Sequence, residues 1–305
     1  MHSSEKGIGP VPSLMSPNRG TVTYIPSREG VQIAVHDLGG SDDPSAPLLL
    51  FSHATGFHGR VWEPLAAHLE NQFRCLGIDH RGHGLTGLPD GASINWSHMG
   101  DDVVAVLESD LVTPNTAVYG IGHSMGGAAL VLAAQRRPGS FRSLWMYEPV
   151  IVPPGALPPN TEPNFMAEAA ARRRTHFDSK VAAFTNYASK PPLNELHPDA
   201  LAAYVDGGFA ENEDGTVDLL CRPEWEAAVY RGAPGSGAFD VVSQLTIPIA
   251  LAVGRPESIG PVAFAPHTLK VLQDGTLVDR PQLGHFGPLE DPTSMAADVA
   301  EWVLR

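Results

Sequence analysis

From residue 21 onward the chain is a succession of short apolar runs separated by turns and by stretches of helical spacing. Val31-Gln-Ile-Ala-Val35 has the alternation of a half-buried strand, whereas Leu48-Leu-Leu-Phe51 is apolar throughout, as a strand covered on both faces must be. Residues 61–69 have helical spacing, and Arg74-Cys-Leu-Gly-Ile78 reads as the next buried strand. Residues 97–107 then place Met99, Val103, Val106 and Leu107 on one helical face. Ala117-Val-Tyr-Gly-Ile121 predicts a strand, and 125–137 a helix that closes on Arg136-Arg137 before Pro138, the charge a helix C-terminus favours. Another strand is expected over 141–147.

That rhythm stops between residues 149 and 243, where prolines give way to helical stretches near 166–174, 179–188, 199–205 and 224–230. It returns at Ile247-Pro-Ile-Ala-Leu-Ala-Val253 and Thr276-Leu-Val278. Asp291-Pro292 then caps a last helix whose Met295, Val299, Trp302 and Val303 face inward. The pattern predicts an α/β, doubly wound core formed by 21–148 and 244–305, interrupted by a mostly helical insertion over 149–243. Residues 1–20, rich in Ser, Pro and Gly, are expected to be a flexible arm outside it.

Composition narrows the function classes. Hydrophobic residues make up 43% and charged residues 18% of the 305, which excludes a disordered or fibrous chain. A net charge of −14, with no basic run longer than Arg172-Arg173-Arg174, argues against nucleic acid as a partner. No apolar stretch is long enough for a membrane span, and a secretory leader is not evident, so the expected location is the cytoplasm. Cys75 and Cys221 lie far apart and fit neither a disulfide framework nor a zinc site.

Gly122-His123-Ser124-Met125-Gly126 matches G-x-S-x-G between an expected strand and an expected helix, the setting of a nucleophile elbow. Side chains two residues before or after the serine would collide with the neighbouring strand and helix, so glycine is required there. A phosphate-binding glycine loop is the competing reading, but the motif does not lie in the first βαβ unit. His285, between the last short strand and the final helix, is placed to be the base, since an imidazole accepts and returns a proton near neutral pH. Two carboxylates compete to orient it: Glu257, favoured because it follows the penultimate strand and precedes His285 by 28 residues, and Glu148, which ends the strand at 141–147. The loop His53-Ala54-Thr55-Gly56-Phe57 ends the Leu48–Phe51 strand, so the backbone N–H groups of Thr55 and Met125 are the expected oxyanion donors. Asp79-His-Arg-Gly-His-Gly84 has metal-ligating residue types, yet its glycines suit a tight turn and no second cluster completes a site; no metal or cofactor is expected.

Together these residues resemble the α/β-hydrolase family with a helical cap, over roughly residues 22–305. The resemblance implies a mostly parallel eight-stranded sheet with helices on both faces, a Ser–acid–His triad, and a cap over about 149–243. Asp79-His-Arg-Gly-His-Gly84 then resembles the family's D-x-R-G-x-G turn after the fourth strand. Two departures stand out: Ala54 replaces the usual glycine of the oxyanion motif, and the acid at 257 is Glu where Asp is commoner. Serine at position 124 sets the chain apart from relatives with a carboxylate nucleophile and implies a serine esterase. Within the family, the His53–Arg60 segment is most similar to monoalkyl phthalate ester hydrolases. The expected partner is a small-molecule ester, with His53, Arg60, Arg81, His123, Glu148 and Phe286 as candidate substrate-binding residues. Arg60, Arg81 and Arg255 are expected to meet around a free carboxylate. The same triad would also serve lactone or carbon–carbon bond hydrolysis, or a slow-turnover receptor.

Overall fold

A computed structural model describes residues 20–43, 45–69, 72–157, 163–256 and 260–305. The expected arm lies outside them except for Gly20. Among the described residues the strands are β1 Val22–Pro26, β2 Gln32–Gly40, β3 Leu48–Ser52, β4 Arg74–Ile78, β5 Val118–His123, β6 Ser143–Tyr147, β7 His176–Phe177, β8 Phe209–Glu211, β9 Val217–Leu219, β10 Ile249–Val253 and β11 Gly275–Asp279. Eight of them form one sheet in the order β1-β2-β4-β3-β5-β6-β10-β11. The two pairings of β2 are antiparallel and the other five are parallel.

The helices in chain order are α1 Glu63–Ala66, α2 Trp96–Leu107, α3 Met125–Arg136, α4 Phe165–Ala171, α5 Lys180–Ala188, α6 Pro198–Gly208, α7 Pro223–Gly232, α8 Ala238–Val242, α9 Ala265–Val271, α10 Gly287–Glu290 and α11 Pro292–Val303. Period-two alternation in β3 sorts the core. Leu48 and Leu50 pack with α2, α3 and α8 on one face, while Leu49 and Phe51 pack with α1, α11 and the aromatic residues of α5 and α6 on the other. Both faces are covered, which is why β3 reads as an unbroken apolar run. The final helix begins as expected: Asp291 accepts from Ser294 N at 3.1 Å and Pro292 occupies the first turn.

Some departures from the sequence reading have plain physical reasons. The helix expected over 61–69 is a 3₁₀ turn, Gly59–Trp62, followed by the one-turn α1, because Pro64 has no N–H to extend an α-helix backward. The insertion carries a small antiparallel sheet, β7-β9-β8, whose strands of two or three residues are too short for alternation to show. The edge strand β1 is mostly exposed and so carries no burial pattern.

The turn after β4 hangs on Asp79. Its carboxylate accepts from Gly59 N at 2.6 Å and Leu85 N at 2.7 Å and lies 2.9 Å from His36 Nε2. Beside it the rings of His80 and His83 lie 4.9 and 5.1 Å from that of His53. Burial holds His53 well below the usual imidazole range, brings His58 down to about 4 and His80 to about 3, and lowers His83. Below pH 6.5 the unfolded chain therefore takes up protons that the native histidines refuse, and stability falls as pH drops toward 4. His58 and His80 each contribute up to about 1.4 kcal/mol per pH unit across that window. The urea midpoint is expected to fall steeply between pH 7 and pH 5; a midpoint flat over that interval would show that these histidines are protonated in the native state.

Candidate active site

Ser124 ends β5 and caps α3 with φ 54° and ψ −117°, a conformation costing on the order of 1–3 kcal/mol that surrounding contacts must impose. The glycines of the elbow show what imposes it. A Cβ on Gly122 would meet Gly127 Cα at 2.7 Å, and one on Gly126 would overlap the carbonyl oxygen of Ser52 in β3. The elbow is thus pressed against the end of β3, whose Ser52 Oγ donates to Gly126 O at 3.0 Å.

Glu148 follows β6 with φ 41° and is 3% exposed. One carboxylate oxygen, Oε1, accepts from Gly254 N at 2.9 Å, and Oε2 lies 2.6 Å from His285 Nδ1. The favoured acid, Glu257, falls outside the described residues, and the carboxylate that meets His285 is Glu148. The signal for it was a charged residue directly behind the buried run Ser143–Tyr147, a place where a carboxylate needs a partner.

The loop that carries His285 is tied across three neighbouring strands. Leu283 O accepts from Arg255 N behind β10 at 2.7 Å, Gly284 O from Tyr147 Oη on β6 at 2.8 Å, and His285 O from His123 Nε2 on β5 at 2.8 Å. Burial, with the nearby His285 adding to it, keeps His123 well below the usual imidazole range, so it stays a neutral N–H donor. Burial together with Glu148 raises the Tyr147 phenol, so it remains a hydroxyl. Glu290 accepts from Gly284 N at 2.8 Å and Phe286 N at 3.2 Å from below. Tyr147 and Glu290 carry no motif of their own and were not legible as site residues.

Of the expected oxyanion donors, Met125 opens α3, and an N–H at the first helical position has no partner within the helix. Thr55 is buried in the loop after β3, next to the elbow. Other candidates are placed elsewhere. His53 is fully buried with both nitrogens on backbone, Nδ1 donating to Ala54 O at 2.7 Å and Nε2 accepting from His80 N at 3.0 Å, so it holds the loop rather than a ligand. The three arginines do not meet. Arg81 is buried and clasps Asp102 with two bonds of 2.7 and 2.8 Å; Arg60 pairs with Glu63 and Asp206; Arg255 pairs with Glu195 at 3.2 Å. Each guanidinium answers a structural carboxylate.

A cavity of about 300 Å³ opens beside Thr55, Gly56 and Phe57 under the insertion. Its walls are aromatic, with Phe286, Tyr187, Tyr204 and Tyr230, and the rings of Phe57 and Phe286 stand 5.4 Å apart. The cations it contains are Arg173, bonded to Glu226, Tyr204 and Tyr187, and Lys190, which donates to Asn186 at 2.7 Å. Phe286 alone of the substrate-binding candidates lines it.

If the elbow depends on backbone contact, Gly126→Ala should lower Tm by roughly 10 °C or more, a cost of several kcal/mol, as measured by calorimetry. Gly87→Ala, where a Cβ meets nothing within 4 Å, should leave Tm unchanged.

The comparisons with known proteins agree with this geometry. The family model described as Hydrolase_4, serine aminopeptidase S33, matches residues 43–285. A 2-(acetamidomethylene)succinate hydrolase from Mesorhizobium japonicum is 25% identical over 244 residues, covering 79% of this chain and 82% of that protein. The crystal structure of an E-2-(acetamidomethylene)succinate hydrolase superposes with a TM-score of 0.75 at 21% identity, covering 93% of this chain and 99% of the other. An N-formylmaleamic acid deformylase from Pseudomonas putida S16 gives a TM-score of 0.68 at 20% identity, with 92% and 100% covered. Among the described residues no helix is long and apolar enough to cross a membrane. With its elbow, its eight-stranded sheet and a family match over most of its length, the chain is a hydrolase of the α/β-hydrolase superfamily and belongs to the Hydrolase_4, serine aminopeptidase S33, family.

Proposed function

We infer that the protein is a serine hydrolase acting on a small carboxylic ester through an acyl-enzyme. The observation that carries the reading is the 2.6 Å contact between Glu148 and His285 Nδ1, which leaves Nε2 of the same ring for the serine of a strained elbow. Ser124 Oγ attacks the ester carbonyl as its proton passes to His285 Nε2, and the carbonyl oxygen turns toward the N–H groups of Thr55 and Met125. Collapse expels the alcohol, which takes the proton from His285. Water then adds to the acyl-enzyme by the same route and releases the acid, so one ester and one water give one acid and one alcohol. Glu148 fixes the tautomer of His285 and stabilises the imidazolium as it forms.

The substrate reading is a monoester of an aromatic dicarboxylic acid, represented by a monoalkyl phthalate. Aromatic walls suit the ring, and with Arg173 engaged by Glu226, the ammonium of Lys190 at the cavity supplies the charge for a free carboxylate. At the cavity this local cation outweighs the more distant field of a −14 chain, which is screened over about 8 Å at physiological salt. The similar proteins are named for a succinate and a maleamic acid, so an amide of a dicarboxylic acid belongs in the same test.

Ser124→Ala is expected to abolish turnover, a loss on the order of 10⁶-fold, and Glu148→Gln to lower kcat by about 10⁴-fold with the fold intact. Glu257→Gln should leave kcat within about two-fold; a larger loss there than at Glu148 would reverse the assignment. Monobutyl phthalate, dibutyl phthalate, a neutral p-nitrophenyl ester and an N-acyl dicarboxylic amide compared side by side test the substrate. The monoester should be preferred, and Lys190→Met should raise its KM alone. Equal cleavage of the diester, or an unchanged monoester KM in that variant, would remove the carboxylate subsite.

A further inference from the structure

Gly56 lies between Thr55 and Phe57 in the loop that carries the proposed oxyanion donor, and its φ is +81°. The space where its side chain would stand is filled from the insertion. An ideal Cβ there would meet Glu226 Oε1 at 2.7 Å and Arg173 Nη1 at 3.2 Å. Those two groups are an ion pair, Arg173 Nη1 to Glu226 Oε2 at 2.5 Å, with Glu226 on α7 and Arg173 just beyond α4. Arg173 Nη2 also donates to the hydroxyls of Tyr204 on α6 and Tyr187 on α5, so four helices of the insertion converge on this guanidinium. Burial works against its charge, but Tyr204, Glu226 and Tyr187 more than offset that, and the cation persists.

On its other flank the loop is also wedged. The Phe57 ring lies 5.1 Å from that of Tyr204 and 5.4 Å from that of Phe286, and His58 Nε2 donates to Tyr204 O at 3.0 Å. The loop is therefore clamped between the insertion and the loop that bears His285. The ion pair is the polar jaw of that clamp, pressed against the α-carbon next to Thr55.

We propose that Arg173 and Glu226 are positioning residues for the oxyanion site, setting the direction of the Thr55 N–H through Gly56 rather than touching the substrate. The proposal rests on the serine-hydrolase reading above, in which Thr55 is an oxyanion donor. A donor aimed at the developing oxyanion contributes in the transition state and little to ground-state binding, so its misalignment appears in kcat and spares KM. The pair also explains why the loop has glycine at 56: an alanine would meet both the left-handed backbone and the carboxylate.

The test uses the neutral p-nitrophenyl ester, on which a cation serving only a substrate carboxylate has no effect. Removing one partner strands a buried charge, so the informative variant is the double one, Arg173→Met with Glu226→Gln, which leaves none unpaired. Its Tm should lie within a few degrees of the parent, its kcat should fall about 10- to 100-fold, and KM should stay within about two-fold. The Ki of a trifluoromethyl ketone, which forms an oxyanion adduct with the serine, should rise by the factor that kcat loses. Arg173→Lys, which keeps the charge but loses the fork, should fall between. An unchanged kcat and Ki, or a rise in KM with Ki unmoved, would overturn the positioning role. Failure of the underlying reading is separately visible, as Ser124→Ala would then retain turnover and a serine-directed phosphonate would label another residue.

Discussion

Three consecutive carbonyls, those of residues 283, 284 and 285, accept one hydrogen bond each from groups on or directly behind β10, β6 and β5, in the order in which those strands lie in the sheet. A histidine on a loop has no helix or ladder to fix it, and catalysis by an imidazole requires placement within about 0.5 Å. The sheet itself supplies that placement. Because the strands are parallel and in register, their C-terminal ends form a ledge, and a loop bonded to three adjacent ends can neither slide along it nor tilt away. Glu148 then acts on a ring whose backbone is already held, so its 2.6 Å contact orients an imidazole rather than anchoring a loop.

That ledge works because its donors are kept in one protonation state. His123 is neutral through burial, and the Tyr147 hydroxyl stays protonated for the same reason with Glu148 adding to it. A charged histidine at 123 would sit beside His285, ring centroids 5.0 Å apart, and oppose the imidazolium that the reaction forms. Burial that costs stability at low pH thus protects the electrostatics of the site at neutral pH. The histidines around Asp79 obey the same constraint: with little water to receive a proton, they serve as fixed donors and acceptors for backbone turns.

How much was legible in the sequence depends on how local each constraint is. The elbow could be read because its two glycines answer clashes within one strand, one helix and one neighbouring strand, all encoded in five residues. The buried strands could be read because a doubly covered strand must be apolar at every position. The acid could not be read with the same security, since a glutamate follows each of two strands and nothing local says which carboxylate faces His285 Nδ1, where the structure places Glu148. The arginines misled for a related reason. A guanidinium near a motif suggests an anion site, but Arg60, Arg81 and Arg255 each have a carboxylate distant in sequence, Asp206, Asp102 and Glu195. Arg173 lies in the basic run Arg172-Arg173-Arg174, and nothing local marks it as the one that turns inward.

Packing also qualifies the boundary expected at residues 149 and 243. Phe177, Phe184, Tyr204 and Phe209 of the insertion share one apolar cluster with Trp62, Trp145 and Trp302 of the core, so α5 and α6 have no separate interior. α7 is fastened to the opposite face, where Val229 joins the other cluster and its carbonyl accepts from Trp96 Nε1 at 2.9 Å. α4 differs: among the described residues Ala167 and Ala170 form a small separate cluster with Ala227 and Tyr230 of α7, and Phe165 and Met166 are exposed. The apolar side chains at this seam are small, and at about 25 cal/mol per Å² each buried alanine contributes little. Arg173 stands two residues beyond the end of α4, and its bonds to Glu226, Tyr187 and Tyr204 reach the well-anchored helices. The polar pair that presses on Gly56 therefore also ties the end of α4 to α5, α6 and α7, and Arg173 connects the roof of the cavity to the loop that carries Thr55.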